Sequence, residues 1–363
     1  MKKKQPTKSA LRENEGVSNQ EATSKDAILQ LKKKRLEQPS AATLLEKILN
    51  RNTAALSQGI TLIESHSPTH KEKAHTLIQS CLEHQKPSIR IGITGVPGVG
   101  KSTFIEALGT YLTELGSQVA VLAVDPTSTL SKGSILGDKT RMDALVKNPK
   151  AFIRPSAAGD ALGGVARHTR EAITLCEAAG YDVILIETVG VGQSETAVHS
   201  MVDFFLLLKL AGAGDELQGI KRGIIEMADA IIINKADGNN LTAAKLAKVE
   251  FNRALHLYPA KASNWTPKVV LCSALENKGI DGAWTLISDY IDQANKKGYF
   301  TKKRQEQNTF WLLQSIENQL KDQFFQDEVI AKELKTQMAM IAANKRSPFA
   351  AAEYLLNLHK TRT

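Results

Sequence analysis

The segment Gly95–Ser102, with the sequence GVPGVGKS, constrains the fold of this 363-residue chain more than any other feature. It fits the phosphate-binding pattern G-x-x-x-x-G-K-[ST] without a gap. The apolar run at 88–94 before it predicts a short buried strand, and apolar residues at helical spacing follow from Thr103 onward. A strand, a glycine-rich turn and a helix in this order form the setting in which the pattern binds a phosphate.

Two side chains of this segment are predicted to act on the phosphate directly. Lys101 can reach the β- and γ-phosphates and is a candidate catalytic residue, and the Ser102 hydroxyl can bind Mg²⁺. Backbone N–H groups, freed by the glycines, supply the rest of the cradle. The alternative is an ordinary glycine-rich turn, which the flanking pattern and the Lys-Ser pair disfavour. The predicted nucleotide-binding residues here are Gly95, Val96, Pro97, Gly98, Val99, Gly100, Lys101, Ser102 and Thr103.

A second motif indicates which base is bound. Asn234-Lys235-Ala236-Asp237 follows the apolar run 230–233, so it lies at the carboxyl end of a predicted strand, where open parallel sheets bind ligands. The Asp237 carboxylate can accept hydrogen bonds from guanine N1–H and N2–H₂, a pair that adenine lacks. Ser273-Ala274-Leu275 follows the strand predicted at 268–272 and completes such a base site. Each motif alone is weak, but their order after a phosphate loop predicts binding of GTP and GDP.

Carboxylates end two further predicted strands. Asp125 follows the apolar run of the strand at 118–124, and Glu187 ends the strand at 181–187. Such residues near a phosphate loop can hold Mg²⁺ or orient the attacking water, although caps and turns also use them. Asp125 and Glu187 are therefore candidate catalytic residues. The predicted metal ligands are Ser102, Asp125, Asp138 and Glu187.

One expected residue is missing from the motif that starts at Glu187. Many small GTPases carry a water-positioning glutamine directly after the glycine of D-x-x-G. Here the motif is Glu187-Thr188-Val189-Gly190, the next residue is Val191, and the nearest glutamine is Gln193. Valine cannot orient water, so we predict slow intrinsic hydrolysis that depends on a partner.

Strand-like and helix-like segments alternate from 88 to 297, which predicts an α/β fold. The expected class is a P-loop NTPase with a mainly parallel sheet flanked by helices. The predicted units are a polar, disordered tail (1–40), a helical extension (41–87), the GTPase domain (88–298) and a C-terminal helical dimerisation arm (299–363). The predicted strands are 88–94, 118–124, 151–154, 181–187, 203–210, 229–233 and 268–272. The predicted helices within the domain are 101–115, 164–179, 219–227, 239–257 and 280–296.

Charge and composition narrow the expected partners and location. The net charge is +9, but residues 1–40 contribute +5 of it, so a solvated arm is favoured over a nucleic-acid site. The sequence contains no run of eighteen apolar residues, so it predicts no membrane span. Its N-terminus also lacks the apolar segment of a signal peptide. The three cysteines form no C-x-x-C pair. We expect a cytoplasmic protein without nucleic-acid or membrane partners.

The motifs together resemble the MeaB/ArgK G proteins, relatives of MMAA. The most specific matches are the stretch 187–195 (ETVGVGQSE), the stretch 213–221 (AGDELQGIK) and the closing stretch 347–352 (SPFAAA). The resemblance covers about residues 41–358. Some members of this family were once labelled arginine and ornithine transport kinases, but nothing in this sequence supports a protein-kinase or transporter role.

The resemblance implies a homodimeric GTPase that serves an adenosylcobalamin-dependent acyl-CoA mutase, usually methylmalonyl-CoA mutase. Such a chaperone gates cofactor loading and protects the mutase. It also implies that 212–221 is an additional mobile loop near the nucleotide. The alternative is a GTPase metallochaperone for another enzyme, but the N-terminus is rich in lysine and not in histidine. A signal-recognition GTPase would require a methionine-rich domain, and the chain has six methionines.

Overall fold

The computed structural model describes residues 39–65, 67–124, 142–155, 162–188, 194–211 and 222–362. All but the last two residues of the predicted tail 1–40 lie outside this part of the chain. The strands are β1 (Ile89–Gly95), β2 (Val119–Val124), β3 (Ala151–Arg154), β4 (Val183–Thr188), β5 (Phe204–Lys209), β6 (Ala230–Ile233) and β7 (Lys268–Leu271).

Helices precede, connect and follow these strands. Before β1 lie α1 (Ala41–Leu49), α2 (Thr53–Ile63) and α3 (Pro68–Leu82). The connecting helices are α4 (Lys101–Glu114), α5 (Asp143–Val146), α6 (Leu162–Ala179), α7 (Ser194–His199), α8 (Arg222–Met227) and α9 (Leu241–Leu255). After β7 come α10 (Ile280–Lys296), α11 (Tyr299–Gln326), α12 (Glu328–Ala342) and α13 (Pro348–Lys360).

The strands form one sheet in the order β3-β2-β4-β1-β5-β6-β7, and every described pairing is parallel. The central strand β1 lies between β4 and β5, with Ile93 opposite Glu187 on one side and Gly95 opposite Leu208 on the other. Because parallel strands all run in the same direction, the carboxyl ends of β1, β4, β5, β6 and β7 lie along one edge of the sheet. The predicted fold class is confirmed.

Continuous apolar runs explain why these segments form a central sheet. Strands β2, β4, β5 and β6 are buried along their whole lengths, as parallel strands covered on both faces are. One face packs against α6, α7, α8 and α9, and α1, α2 and α3 pack in turn against α6; the core on this side includes Leu56, Ile173 and Val198. The other face packs against α4, α5 and α10 through residues such as Leu108 and Ile287. Helices therefore cover both faces of the sheet.

The start of α11 is fixed to the amino edge of the sheet by side-chain hydrogen bonds. Lys303 donates to the Asp203 carbonyl at 2.7 Å, and Gln307 donates to the Val202 carbonyl at 2.8 Å. Trp311, one helical turn further, donates from Nε1 to the carbonyl of Ser200 at 3.2 Å. These donors recur every four residues on one face of α11, so that face is committed to the turn between α7 and β5.

A buried charge network strengthens this anchor. Asp203 accepts hydrogen bonds from Arg304 Nη2 at 2.6 Å and from the Arg90 backbone N–H at 2.8 Å. Arg90 Nε in turn donates to Glu177 Oε1 at 2.7 Å, and Ser88 Oγ donates to the same oxygen at 2.6 Å. Burying charges is favourable only when they are paired and hydrogen-bonded in this way. The network therefore ties β1, α6 and α11 together.

Several details differ from the sequence prediction. The short helices α5 and α7 were not predicted, because four to six residues give too little periodicity to recognise. The helix predicted from 239 is divided into a 3₁₀ turn, Gly238–Asn240, and α9. Residues 219–221 of another predicted helix lie outside the described residues. Among the helices that are described, none is both long enough and apolar enough to cross a membrane.

We expect Arg304→Ala to lower the free energy of unfolding by about 3 kcal/mol, because it removes the charged partner of a buried carboxylate. Urea unfolding of the purified protein measures this loss. Lys302→Ala is the matched control: Lys302 lies 3.8 Å from Glu306, and both side chains are largely exposed. The control should change the stability by no more than about 0.5 kcal/mol. Equal effects of the two substitutions would contradict the role given to the buried network.

Candidate nucleotide-binding site

The glycine-rich segment connects β1 to α4, as the sequence predicted, and two of its glycines have no room for a side chain. Gly100 adopts φ +90°, and a Cβ atom there would lie 2.8 Å from Asn234 Nδ2. A Cβ atom on Gly95 would lie 2.6 Å from the Leu208 carbonyl oxygen. The fully buried side chain of Val99 anchors the loop to the hydrophobic core. The loop backbone is therefore pressed against the neighbouring strands, and its outer face, including Pro97 and Gly98, is exposed.

The Lys101 ammonium lies within this loop. It donates to the Gly95 carbonyl at 2.8 Å and is 3.4 Å from the Val96 carbonyl. Its side chain is half-buried, as is that of Ser102, while Thr103 is exposed at the first turn of α4. A cation held at the mouth of a helix N-terminus adds to the positive potential that attracts phosphate.

Asn234, which follows β6, connects three parts of the site. Its Nδ2 donates to the Val99 carbonyl at 2.9 Å, and its Oδ1 accepts from the Ala274 N–H at 3.2 Å. Its backbone N–H donates to the Lys209 carbonyl at 2.8 Å. The side chain is almost completely buried. Asn234 thus holds the phosphate loop, the end of β5 and the loop after β7 in a fixed arrangement.

The remaining residues of the predicted base site lie in two neighbouring segments, the base loop (residues 234–237) and the loop 273–275. Lys235 Nζ donates to the Gly98 carbonyl at 2.9 Å, which lays the lysine stem alongside the phosphate loop. The Ser273 hydroxyl donates to Asp237 Oδ2 and itself accepts from the Glu276 N–H at 3.2 Å. Leu275 is 81% exposed, so it is available for contact with a ligand. The structure therefore brings together the N-K-x-D residues, the loop 273–275 and the phosphate loop.

The neighbouring Cys272 supports the base loop without reactive chemistry. Its carbonyl accepts from the Ala236 N–H at 3.0 Å. Burial, with a smaller contribution from Asp281, raises the pKa of the Cys272 thiol to about 12. The thiol is therefore neutral at physiological pH, and a neutral thiol is a poor nucleophile.

Glu187 lies at the same edge, 4% exposed, with Ala123 of β2 and Ile93 of β1 as its register partners. Next to it, the Thr188 hydroxyl donates to Thr94 Oγ1 at 2.9 Å, which joins the end of β4 to the strand that leads into the phosphate loop. The predicted residues Asp125, Asp138, Val191 and Gln193 and the loop 212–221 lie outside the described residues.

The side chains present suit Mg²⁺, which prefers oxygen ligands. Ser102 offers a hydroxyl at the first turn of α4, and Glu187 offers a carboxylate one strand away. Within the described ranges, no group of three or more His, Cys, Asp or Glu side chains is placed to hold a metal. A complete magnesium shell would therefore need water, phosphate oxygens or residues such as Asp125 and Asp138.

Two residues next to these motifs were not identified from the sequence. Thr94 and Asn240 hydrogen-bond motif residues, but neither belongs to a recognised pattern. The only available signal for Asn240 was its place in Gly238-Asn239-Asn240, a run typical of a turn. Their partners are visible only in the folded chain.

A parallel sheet whose central strand ends in a phosphate loop, with an N-K-x-D loop beside it, defines a P-loop GTPase. The profile of the family described as "Methylmalonyl Co-A mutase-associated GTPase MeaB" matches residues 56–329. The chain belongs to this family, and the resemblance inferred from the motifs is confirmed.

Relatives of the chain agree with this assignment. The GTPase ArgK of Escherichia coli (strain K12) is 42% identical over 313 residues, which cover 86% of this chain and 95% of that protein. The mitochondrial methylmalonic aciduria type A homolog of Mus musculus is 43% identical over 336 residues, covering 90% and 81%. A crystal structure titled LAO/AO transport system kinase superposes with a TM-score of 0.71 at 36% identity, covering 88% and 97%. The chain is therefore a GTPase.

We expect Lys101→Ala to abolish GTP hydrolysis while the fold stays intact. In the predicted site, the ammonium would meet the negative charge that develops on the γ-phosphoryl group. Phosphate release from GTP measures the loss, and circular dichroism checks the fold. Lys245→Ala, at an exposed position on α9, is the control and should leave turnover unchanged. Wild-type turnover by Lys101→Ala would show that this assignment of the active site is wrong.

Proposed function

We propose that this chain is a G-protein chaperone of an adenosylcobalamin-dependent acyl-CoA mutase, with methylmalonyl-CoA mutase as the expected partner. The observation that carries the proposal is the match over residues 56–329 to a family described as methylmalonyl-CoA mutase-associated. The mouse relative, a methylmalonic aciduria type A homolog, supports the same link. GTP hydrolysis would gate cofactor loading and protect the mutase. We propose a cytoplasmic location, on composition alone.

In this proposal the phosphate loop binds the phosphates of the nucleotide, and the base loop binds the guanine base. Backbone N–H groups from Gly95 to Thr103 would surround the phosphates. The Lys101 ammonium would give up its hydrogen bonds to the loop carbonyls and bind phosphate oxygens instead. Asp237 would read the guanine edge, and Lys235, already alongside the phosphate loop, would lie flat against the base. Ser273, Ala274 and Leu275 would close the base site.

Hydrolysis would rely on the carboxylates at the sheet edge. Ser102 and Glu187, together with Asp125 and Asp138, would hold Mg²⁺, which neutralises phosphate charge when bound. Glu187 or Asp125 would also orient the attacking water. Val191 occupies the position where small GTPases carry their glutamine, so the chain lacks a side chain there that can position water. This supports the idea that a partner completes the catalytic site.

We also propose that the chain is a homodimer built through α11 to α13. Phe310, Leu313, Ile316 and Leu320 form a stripe along α11 and are between 46% and 60% exposed in the single chain. Other residues of α11, such as Gln307 and Trp311, already contact the turn between α7 and β5. A contiguous apolar stripe of this length is costly to leave in water, and a second copy would cover it.

Light scattering tests the dimer. The wild-type chain should have twice its monomer mass of 39.6 kDa, and Leu313→Asp with Ile316→Asp should shift it to the monomer, because two charges cannot be buried unpaired. The control is Leu246→Asp on α9, where the leucine is 63% exposed but lies outside the stripe. A wild-type chain that is monomeric at micromolar concentration would refute the proposal.

The mutase proposal predicts that adding methylmalonyl-CoA mutase accelerates GTP turnover by about a hundredfold, which requires about 2.7 kcal/mol of added transition-state stabilisation. One or two charged hydrogen bonds could supply this energy, and Lys221 in the loop 212–221 is the candidate donor. Turnover is measured with and without mutase for the wild type, Lys221→Ala and the control Lys245→Ala. Lys221→Ala should lose most of the stimulation while the control retains it.

Two results would overturn parts of this account separately. If the mutase does not stimulate the wild-type protein, the proposed partner is wrong, although the GTPase assignment stands. If Lys221→Ala is stimulated as strongly as the wild type, the partnership stands and Lys221 has no part in it. An unrelated protein at the same concentration controls for crowding.

A further inference from the structure

The base loop contains a residue in an unfavourable backbone conformation. Lys235 adopts φ +56°, in the left-handed region. This region suits glycine and asparagine, whereas a lysine remains in it only when surrounding contacts hold it there. Contacts to the backbone of Lys235 are therefore needed to stabilise this turn.

Asn240 supplies that contact. Its Nδ2 donates to the Lys235 carbonyl at 2.7 Å, and its backbone N–H donates to the Asp237 carbonyl at 2.9 Å. Between these two bonds, the Ala236 N–H donates to the Cys272 carbonyl at 3.0 Å. Asn240 therefore bonds the backbone of the two motif residues whose side chains face the proposed base site.

An ordinary structural explanation for Asn240 does not fit its geometry. Asparagine directly before a helix commonly caps it by accepting from backbone N–H groups of the first turn. Asn240 directly precedes α9, but its side chain makes no capping hydrogen bond and its backbone is in the right-handed helical region. The amide instead points back to the Lys235 carbonyl. Its place in the sequence serves the base loop rather than the helix.

The side chains of Lys235 and Asp237 are held at their tips and, through Asn240, at the backbone from which they extend. Lys235 reaches the Gly98 carbonyl with its ammonium, and Asp237 accepts from the Ser273 hydroxyl, so each side chain is held at its tip. Asn240 holds the backbone from which both side chains extend. A carboxylate that must accept two parallel hydrogen bonds from guanine tolerates little displacement, because misplaced groups lose most of their binding contribution.

We propose that Asn240 is a positioning residue for guanine recognition, setting both the affinity for the nucleotide and the preference for a base that carries a 2-amino group. This inference rests on the proposed role of Asp237 as the guanine-reading residue. Asn240 contacts no ligand itself and acts through Lys235 and Asp237.

The test compares Asn240→Ala with Asn239→Ala, a matched control at the adjacent exposed position. Three quantities are measured on the full chain: the Kd for GDP, the ratio of Kd values for ITP and GTP, and kcat at saturating GTP. ITP lacks the 2-amino group that Asp237 would bind. Asn240→Ala should weaken GDP binding about tenfold, the scale of one lost hydrogen bond, and bring the ITP to GTP ratio closer to one. The kcat should stay near the wild-type value, and Asn239→Ala should match the wild type throughout.

A third variant separates failure of this inference from failure of the guanine site. If Asp237→Ala leaves GDP affinity and the ITP to GTP ratio unchanged, the proposed base site itself is wrong. If Asp237→Ala changes both but Asn240→Ala behaves like Asn239→Ala, only the role of Asn240 is overturned. An Asn240→Ala protein that is less stable to heat without nucleotide, yet keeps the wild-type ITP to GTP ratio, would also overturn it, because its role would be structural alone.

Discussion

The arrangement of the site depends on the hydrogen bonds of one buried side chain, Asn234. A side-chain amide has an NH₂ group that donates and a carbonyl oxygen that accepts, and each needs a hydrogen-bond partner when it is buried. Here the donor satisfies the Val99 carbonyl of the phosphate loop, and the acceptor satisfies the Ala274 N–H of the loop after β7. Gly100 must lack a side chain because this amide occupies the space. This one amide therefore joins the phosphate loop to the loop after β7, and Lys235 adds a second contact to the phosphate loop at Gly98.

The parallel sheet explains why one amide can reach so many elements. All described strands end at the same edge, so residues distant in sequence, such as Val99 and Asn234, become neighbours there. The opposite edge serves a different purpose. At that edge the buried network around Asp203 and Glu177 fixes α11 to the sheet. The candidate nucleotide site and the attachment of α11 are therefore separated by the length of the strands.

Local signals were sufficient to predict most of the fold. The strands were recognisable because continuous apolar runs stand between helical patterns, and the glycines and Lys101 marked the phosphate loop. What could not be predicted depends on contacts between distant residues. Arg304 donates to the Ser88 carbonyl, although the two residues are 216 positions apart in the sequence. No local sequence pattern predicts such a pair. Asn240 was missed for a related reason, since its partner is defined by the unusual backbone of Lys235.

The most direct test of the central claim is a crystal structure of the full chain with GDP and Mg²⁺. The account predicts that the β-phosphate lies within hydrogen-bond distance of Lys101 Nζ and the backbone N–H groups of the phosphate loop. It also predicts that the Asp237 carboxylate accepts from guanine N1–H and N2–H₂. Electron density for the nucleotide away from the edge formed by β1, β5 and β6, or a guanine edge turned away from Asp237, would contradict it.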